Sequence, residues 1–202
     1  MKTRIVTPST EQIIDVNYLA NYISNNELSN DDNIKILNDM INAAQKAVEK
    51  KIDISLVSKV YREYYESGEI IDNLIQLGKP PHSTVGSVIR EDFQGTKTTL
   101  TLNTDYYVRG ETYKMVELVS TLTSSVVVTG GINADDNYII EFTSGYGIIG
   151  ANATEALPQD LKLGIAQQVA EWWVNRSNFN PNLISNSQLL DIINTHEWRG
   201  WV

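Results

Sequence analysis

Tyr138-Ile139-Ile140-Glu141-Phe142-Thr143, then Ser144-Gly145-Tyr146-Gly147, then Leu157-Pro158-Gln159-Asp160-Leu161-Lys162 and finally Glu171-Trp172-Trp173-Val174-Asn175-Arg176 form the stretch that decides the fold. The first six residues are mostly β-branched or aromatic and predict a strand. The glycines after Ser144 predict a turn that ends it. Pro158 suits the first turn of a helix, where a missing amide donor costs nothing, and Asp160 complements the positive helix start. Leu161, Ile165, Val169 and Trp172 then recur on one stripe. A β-strand is thus handed to a helix that carries paired tryptophans, an arrangement suited to assembly rather than to an active site.

Upstream of this stretch the sequence predicts short strands separated by turns: 85–89, 98–102, 113–119 and 125–129, with 138–143 closing the series. Gln94-Gly95, Arg109-Gly110 and Gly130-Gly131 mark the turns. Lys79-Pro80-Pro81 separates this region from what precedes it, because proline lacks an amide donor and restricts its predecessor. Before it the pattern reads as helical. Ser9-Thr10-Glu11-Gln12 has the form of a capping box, followed by Ile13, Val16, Ala20 and Ile23 at steps of three and four. Asp31-Asp32 open a second helix with Ile34, Leu37, Ile41, Ala44 and Val48 on one face through about Lys51. Val57, Val60, Tyr61, Tyr64 and Tyr65 suggest a third helical stretch from Ser55 to Leu77, interrupted at Gly68. Downstream, Gln188 to Thr195 predicts a short last helix before the tail His196-Glu197-Trp198-Arg199-Gly200-Trp201-Val202. The expected class is α+β: one domain over 1–202, with a helical part (1–79), a small antiparallel β subdomain (80–145), and carboxyl-terminal helices with a docking tail (157–202).

A chain of 202 residues can bury a substantial core. With 42% hydrophobic and 20% charged residues its composition is that of an ordinary globular protein, and no apolar run approaches the roughly 20 residues a bilayer requires. No membrane partner is expected. Met1-Lys2-Thr3-Arg4 is basic but no apolar segment follows, so a secretory leader is not expected and assembly in the cytoplasm is. Asn152-Ala153-Thr154 and Asn175-Arg176-Ser177 therefore match the glycosylation pattern by coincidence. The absence of cysteine excludes disulfides, thiolate metal sites and cysteine nucleophiles. A net charge of -9 disfavours ordinary DNA binding, because an acidic surface gains little from counterion release. It suits a surface that DNA passes without sticking.

Several motifs invite chemistry and lose to plainer readings. Gly145-Tyr146-Gly147-Ile148-Ile149-Gly150 matches G-x-G-x-x-G after a strand, but residues 151–157 intervene before the helix and the neighbouring strands read as antiparallel, so a turn is expected and no cofactor. Asp31-Asp32 and Asp135-Asp136 lack the spacing of a metal loop and read as helix-start charge and a solvated turn. His82 and His196 lie in unrelated segments with no nucleophile pattern. No catalytic, cofactor or metal residue is assigned.

The tryptophans carry the partner-binding expectation. Trp172 and Trp173 point about 100° apart on a helix, so one faces the chain's own core while the other meets either that core or a neighbouring subunit. Trp198 and Trp201 sit in a terminal segment, which frays unless held. A tryptophan buries roughly 150–250 Å², worth several kcal/mol at about 25 cal/mol/Å², so the tail is expected to dock, either on its own domain or on a partner. Trp173, Arg176, Trp198, Arg199 and Trp201 are the candidate partner-binding residues.

Taken in order, these segments resemble the head-tail connector (adaptor, or head-completion) proteins of tailed bacteriophages. Asp31-Asp32 and the alanine-rich Ile41-Asn42-Ala43-Ala44-Gln45-Lys46-Ala47-Val48-Glu49 resemble that family's acidic pair and second helix. Pro81-His82-Ser83-Thr84-Val85-Gly86-Ser87-Val88 resembles its entry to the sheet, with His82 in place of a hydrophobe. Phe142-Thr143-Ser144-Gly145-Tyr146, Leu157 to Lys162 and Trp172 to Arg176 resemble its central run, and Gln188-Leu189-Leu190 its end. Residues 147–156 and 55–78 are longer than the family's pattern. The resemblance implies a non-enzymatic virion protein at the neck, forming a homo-oligomeric ring, commonly a dodecamer. The ring would dock beneath the portal protein after DNA packaging, extend the channel, and carry downstream neck or tail proteins. Double-stranded DNA would pass its lumen on ejection without specific binding. The alternatives are a stopper or tail-completion ring, a small enzyme on nucleotides or glycans using Tyr106-Tyr107 and paired acids, and a host-directed binding module.

Overall fold

In the computed structural model, the described residues are 1–9, 11–24, 28–119, 136–146, 157–175, 184 and 186–196. They form an α+β fold of two compact units, one of residues 1–9 and 58–145, the other of residues 10–57 and 146–202.

The first unit is β. Strands β1 (Lys2–Thr7), β2 (Lys59–Glu66), β4 (His82–Glu91), β5 (Lys97–Thr99) and β8 (Asn137–Ser144) make a five-stranded antiparallel sheet in the order β1-β2-β8-β4-β5. Strands β3 (Leu74–Gln76), β6 (Tyr106–Arg109) and β7 (Met115–Leu118) make a second sheet in the order β3-β7-β6. Tyr61, Tyr65, Val88, Tyr138, Ile140 and Phe142 from the first sheet meet Ile75, Tyr106, Val116 and Leu118 from the second in one core. The expected strands at 85–89, 98–102, 113–119 and 138–143 all find counterparts here. The one at 125–129 lies outside the described residues, as does the Gly130-Gly131 turn.

The helix expected over Ser55 to Leu77 is wrong: residues 59–66 and 74–76 are strands. The three-and-four spacing of Val57, Val60, Tyr61, Tyr64 and Tyr65 concealed a period of two, because the inward residue between Tyr61 and Tyr65 is Glu63. Valine and tyrosine favour the pleated surface, and the strand places them there. Lys2–Thr7 and Tyr106–Arg109 are further strands that the helical and loop expectations missed. The β unit consequently takes in residues 1–9 and 58–79, which the expected boundaries gave to the helical part.

Glu63 is fully buried and fully used. Its Oε1 accepts from the Thr3 hydroxyl at 2.9 Å; its Oε2 accepts from the Gly78 amide at 3.0 Å and the Tyr65 hydroxyl at 2.5 Å. Burial and the adjacent carboxylate push the Tyr65 phenol far up, keeping it a donor. The close approach needs a glycine: a Cβ on Gly78 would lie 2.7 Å from Glu63 Oε1. Beyond Gly78, the cis Pro80–Pro81 bond leads into His82. His82 Nδ1 accepts from the Lys114 amide at 3.0 Å, so Nε2 carries the proton donated to the Gly78 carbonyl at 2.8 Å.

The second unit is helical: α1 (Asp31–Ile52), α2 (Gln159–Val174) and α3 (Ser187–His196), with a single 3-10 stretch at Val16–Asn21 among the described residues. α1 starts where expected. The Asn30 side chain caps it, accepting from the Asp32 and Asn33 amides, and Asp31 and Asp32 occupy the first turn. Leu37, Met40, Ile41, Ala44, Val48 and Ile52 are its buried face, each large apolar member worth about 1.5–3 kcal/mol. Gly164 on α2 allows α3 to approach, since an added Cβ would meet Leu189 Cδ1 at 2.8 Å.

The helix expected from Ile13 to Ile23 is only that 3-10 stretch, capped by Asp15. Gln12 does not close a capping box. Its amide donates to the Asn38 carbonyl and to Asn42 Oδ1 on α1, and the Ile13 amide donates to Gln45 Oε1 at 3.3 Å. Gln12 and Ile13 satisfy these polar groups on α1 instead of on a helical ladder of their own.

Two predictions follow the buried polar groups. Glu63→Ala leaves the buried Gly78 amide unpaired, takes the acceptor from the part-buried Thr3 hydroxyl and leaves the Tyr65 hydroxyl only the Gln76 carbonyl; at about 1–3 kcal/mol for a buried group left unpaired, denaturant unfolding should register a loss of at least that order, and an unchanged midpoint would refute the network's role. Burial holds the His82 pKa below its ordinary 6.5. Between that depressed value and about 6.5 the unfolded chain binds a proton the folded one does not, so stability falls as pH drops through the window. Urea titrations across that range should show the slope in the native protein and its loss in His82→Gln.

Candidate assembly surface

Trp172 and Trp173 are both buried, 4% and 6% exposed, in the core of the helical unit. The 100° between them does not send one outward, because α2 packs against both α1 and α3 and has neighbours on two sides. Arg176, Trp198, Arg199 and Trp201 lie outside the described residues. The last described residue of α3, His196, is joined to the start of α2 through Nε2 to Asp160 Oδ2 at 2.8 Å. Asp160 lies below the usual carboxylate range: partial burial, its largest influence, opposes the charge, and the His196 and Leu161 hydrogen bonds outweigh it. Polar side chains of α1 and α2 also hold irregular chain. Buried Gln168 accepts from the Asn186 amide at 3.0 Å, and Glu49 Oε1 accepts from the Leu56 amide at 2.9 Å.

The residues that invited chemistry are apart. Tyr106 is buried in the β core, whereas Tyr107 points to the other side of β6, with the Arg109 guanidinium 5.1 Å from its ring centre. Asp136 is buried, not a solvated turn residue, and sits 4.0 Å from Arg90. Asp135 lies outside the described residues. Gly145 adopts φ +122 and donates its amide to the Pro81 carbonyl at 2.8 Å, ending β8 as the turn reading expects. Gly147 to Gly150 lie outside the described residues. Among the described residues no group of three His, Cys, Asp or Glu could hold a metal, and no helix is long and apolar enough to cross a membrane.

What the described residues do present is apolar surface on shaped β features. Phe93, 77% exposed, stands on the β4–β5 turn. Asp92 Oδ1 fixes that turn by accepting from the Gln94 and Thr96 amides, and Gly95 supplies the left-handed residue at φ +81. The Thr96 amide is the largest of the influences that hold Asp92 ionised, below its ordinary range. Ile71, 74% exposed, precedes the Asp72-Asn73 turn, whose two positive φ angles (52 and 65) suit a tight hairpin. Ile5 and Val6 are exposed on β1, at one edge of the larger sheet. Sequence reasoning missed all of these, although the Gln94-Gly95 turn was legible.

No family model and no curated protein matches the chain. Among solved structures it is similar over its whole length to a chain of the "Virion of native gene transfer agent (GTA) particle", with TM-score 0.71, 17% identity and 98% of that chain covered. A chain of the "Neck of empty GTA particle computed with C6 symmetry" aligns with TM-score 0.69 and 18% identity, again over 100% of this chain and 98% of that one. A chain of the "Neck of native GTA particle computed with C12 symmetry" aligns with TM-score 0.64 and 17% identity over the same shares. At this identity the likeness is one of fold: the two-unit α+β architecture described above is shared from end to end with chains of those particles.

Proposed function

We propose that this chain is a structural subunit of the neck of a tailed-phage-like particle, forming a homo-oligomeric ring that docks on the portal, extends the DNA channel and carries the next neck or tail component. The observation that carries the reading is the end-to-end likeness in fold, 100% of this chain against 98% of the other, to chains from gene transfer agent necks. Their six- and twelve-fold symmetry supports a ring, with twelve copies as the number the sequence resemblance also implies. The adaptor role is the finer part of the proposal and rests on the run of motifs from Asp31 to Leu190. The net charge of -9 fits a wall beside moving DNA, since like charge suppresses adhesion to phosphates. Ring closure needs two different faces of each subunit to be complementary. Localisation follows as the virion neck, after assembly in the host cytoplasm.

Purified protein at micromolar concentration, alone or with its portal, should give ring-shaped class averages by electron microscopy. A monomer under both conditions would refute the reading. Removing residues 198–202, with Trp198, Arg199 and Trp201, should weaken portal binding by about tenfold or more, about 1.4 kcal/mol, while the circular dichroism spectrum stays unchanged. Undiminished binding would take the tail out of that interface.

A further inference from the structure

The larger sheet has two edges that differ. At one, β1 pairs among the described residues with β2 alone, so alternate residues turn both N–H and C=O outward. It also exposes Ile5 and Val6, 48% and 38%, with Lys2 and Arg4 as its only charged residues. Such an edge is a template for another strand. At the other edge, among the described residues, β5 covers β4 at Ile89, Arg90 and Glu91 alone. The Val88 carbonyl is taken by Leu100 and the His82 amide by Thr112. Residues 83–87 lie between those two bonds, with Thr84 and Gly86 exposed.

The registers bring these two edges to the same height. Thr3 lies level with Glu63, Ile140 and Val88; Arg4 with Arg62, Glu141 and Ser87. Ile5 lies level with Tyr61, Phe142 and Val85; Thr7 with Val60, Thr143 and Thr84. The window left open on β4 is therefore level with Arg4 to Thr7 of β1 on the far side. Each step from β1 through β2 and β8 to β4 is antiparallel, so β1 and β4 run in opposite directions. Setting the β1 edge of one copy beside the β4 edge of the next continues the antiparallel alternation without an axial shift.

We propose that neighbouring copies join by sheet continuation, β1 of one subunit pairing antiparallel with residues 84–87 of β4 in the next. This rests on the ring reading above and names the contact that closes it. The pairing is heterologous, two unlike edges meeting, as a ring requires and a two-fold dimer does not. It places Ile5 beside Val85, a partly buried residue packed on the β core, and so extends that core across the junction. Main-chain hydrogen bonds supply the register and the side-chain rows supply specificity, as in strand addition generally.

The chain has no cysteine, so engineered pairs report cleanly. Directly opposed antiparallel residues have Cα atoms about 4.5–5.5 Å apart, within disulfide range. Thr7 and Thr84 are both exposed and stand in one row. Oxidising rings of the double variant Thr7→Cys/Thr84→Cys should give a reducible ladder on denaturing gels, up to the full ring. The Arg4→Cys/Ser87→Cys pair should do the same. Mixing the two single-cysteine variants of either pair should give only dimers with one of each. Rings that form but yield no ladder from either pair overturn the edge pairing and leave the ring reading standing. Absence of rings as well as ladder overturns both. Cross-linking of the Thr7→Cys variant to a different particle protein also overturns the edge pairing, by giving the β1 edge to another partner.

Discussion

A carboxylate with no exposure to water organises the β unit. An ion in that setting is tolerated only when hydrogen bonds replace the lost solvent, and Glu63 collects them from three separate pieces of chain: β1 through Thr3, its own strand through Tyr65, and the bend ahead of β4 through Gly78. The first residues of the protein, the second strand and the approach to the fourth are thereby fixed to one side chain. The adjoining His82 carries the constraint further, joining the Gly78 carbonyl to the Lys114 amide beside β7. The turn from Gly78 to Pro81 is consequently defined by polar contacts on both flanks, and the sheet's register follows from it.

The same residue explains what the sequence concealed. Tyr61 and Tyr65 alternate inward in a plain strand pattern, but the position between them is acidic, and an acid at an inward position looks like solvent-facing helix. Elements with unmixed signals were legible. α1 has an asparagine cap, acids in its first turn and an apolar face at regular steps; α2 has its proline and stripe; β8 is an apolar run closed by glycine. The segment at Gln12 and Ile13 was not, because its partners are the Asn38 carbonyl and the Asn42 and Gln45 side chains on α1, more than twenty residues away. Long-range polar contacts leave no local trace.

The assembly surface divides in the same way. That one tryptophan of the pair faces the chain's own core was visible, and that Trp173 sits there too was not, since helical spacing gives directions around an axis without saying how many neighbours the helix has. The exposed apolar positions on β1, on the Phe93 turn and before Asp72-Asn73 were invisible for a different reason. Single apolar residues at loop tips have no period, and only a fold shows whether they stand out or fold inward. The full-length likeness to neck chains and the run of resembling motifs draw on different information, overall chain path in one case and local residue choice in the other.

The order of the pieces along the polypeptide has a consequence for biosynthesis. β1 is made before α1, yet its partner β2 begins at Lys59, after the whole of α1. β8, the strand between β2 and β4, is complete only at Ser144, and α2, which packs on α1, follows it. Neither half of the molecule can close early: the sheet waits for its middle and the bundle waits for its carboxyl-terminal members. The nascent chain therefore holds exposed strand edges until Ser144 has been made, the kind of delay that non-local pairing imposes, and the helical half closes only after the sheet's last strand.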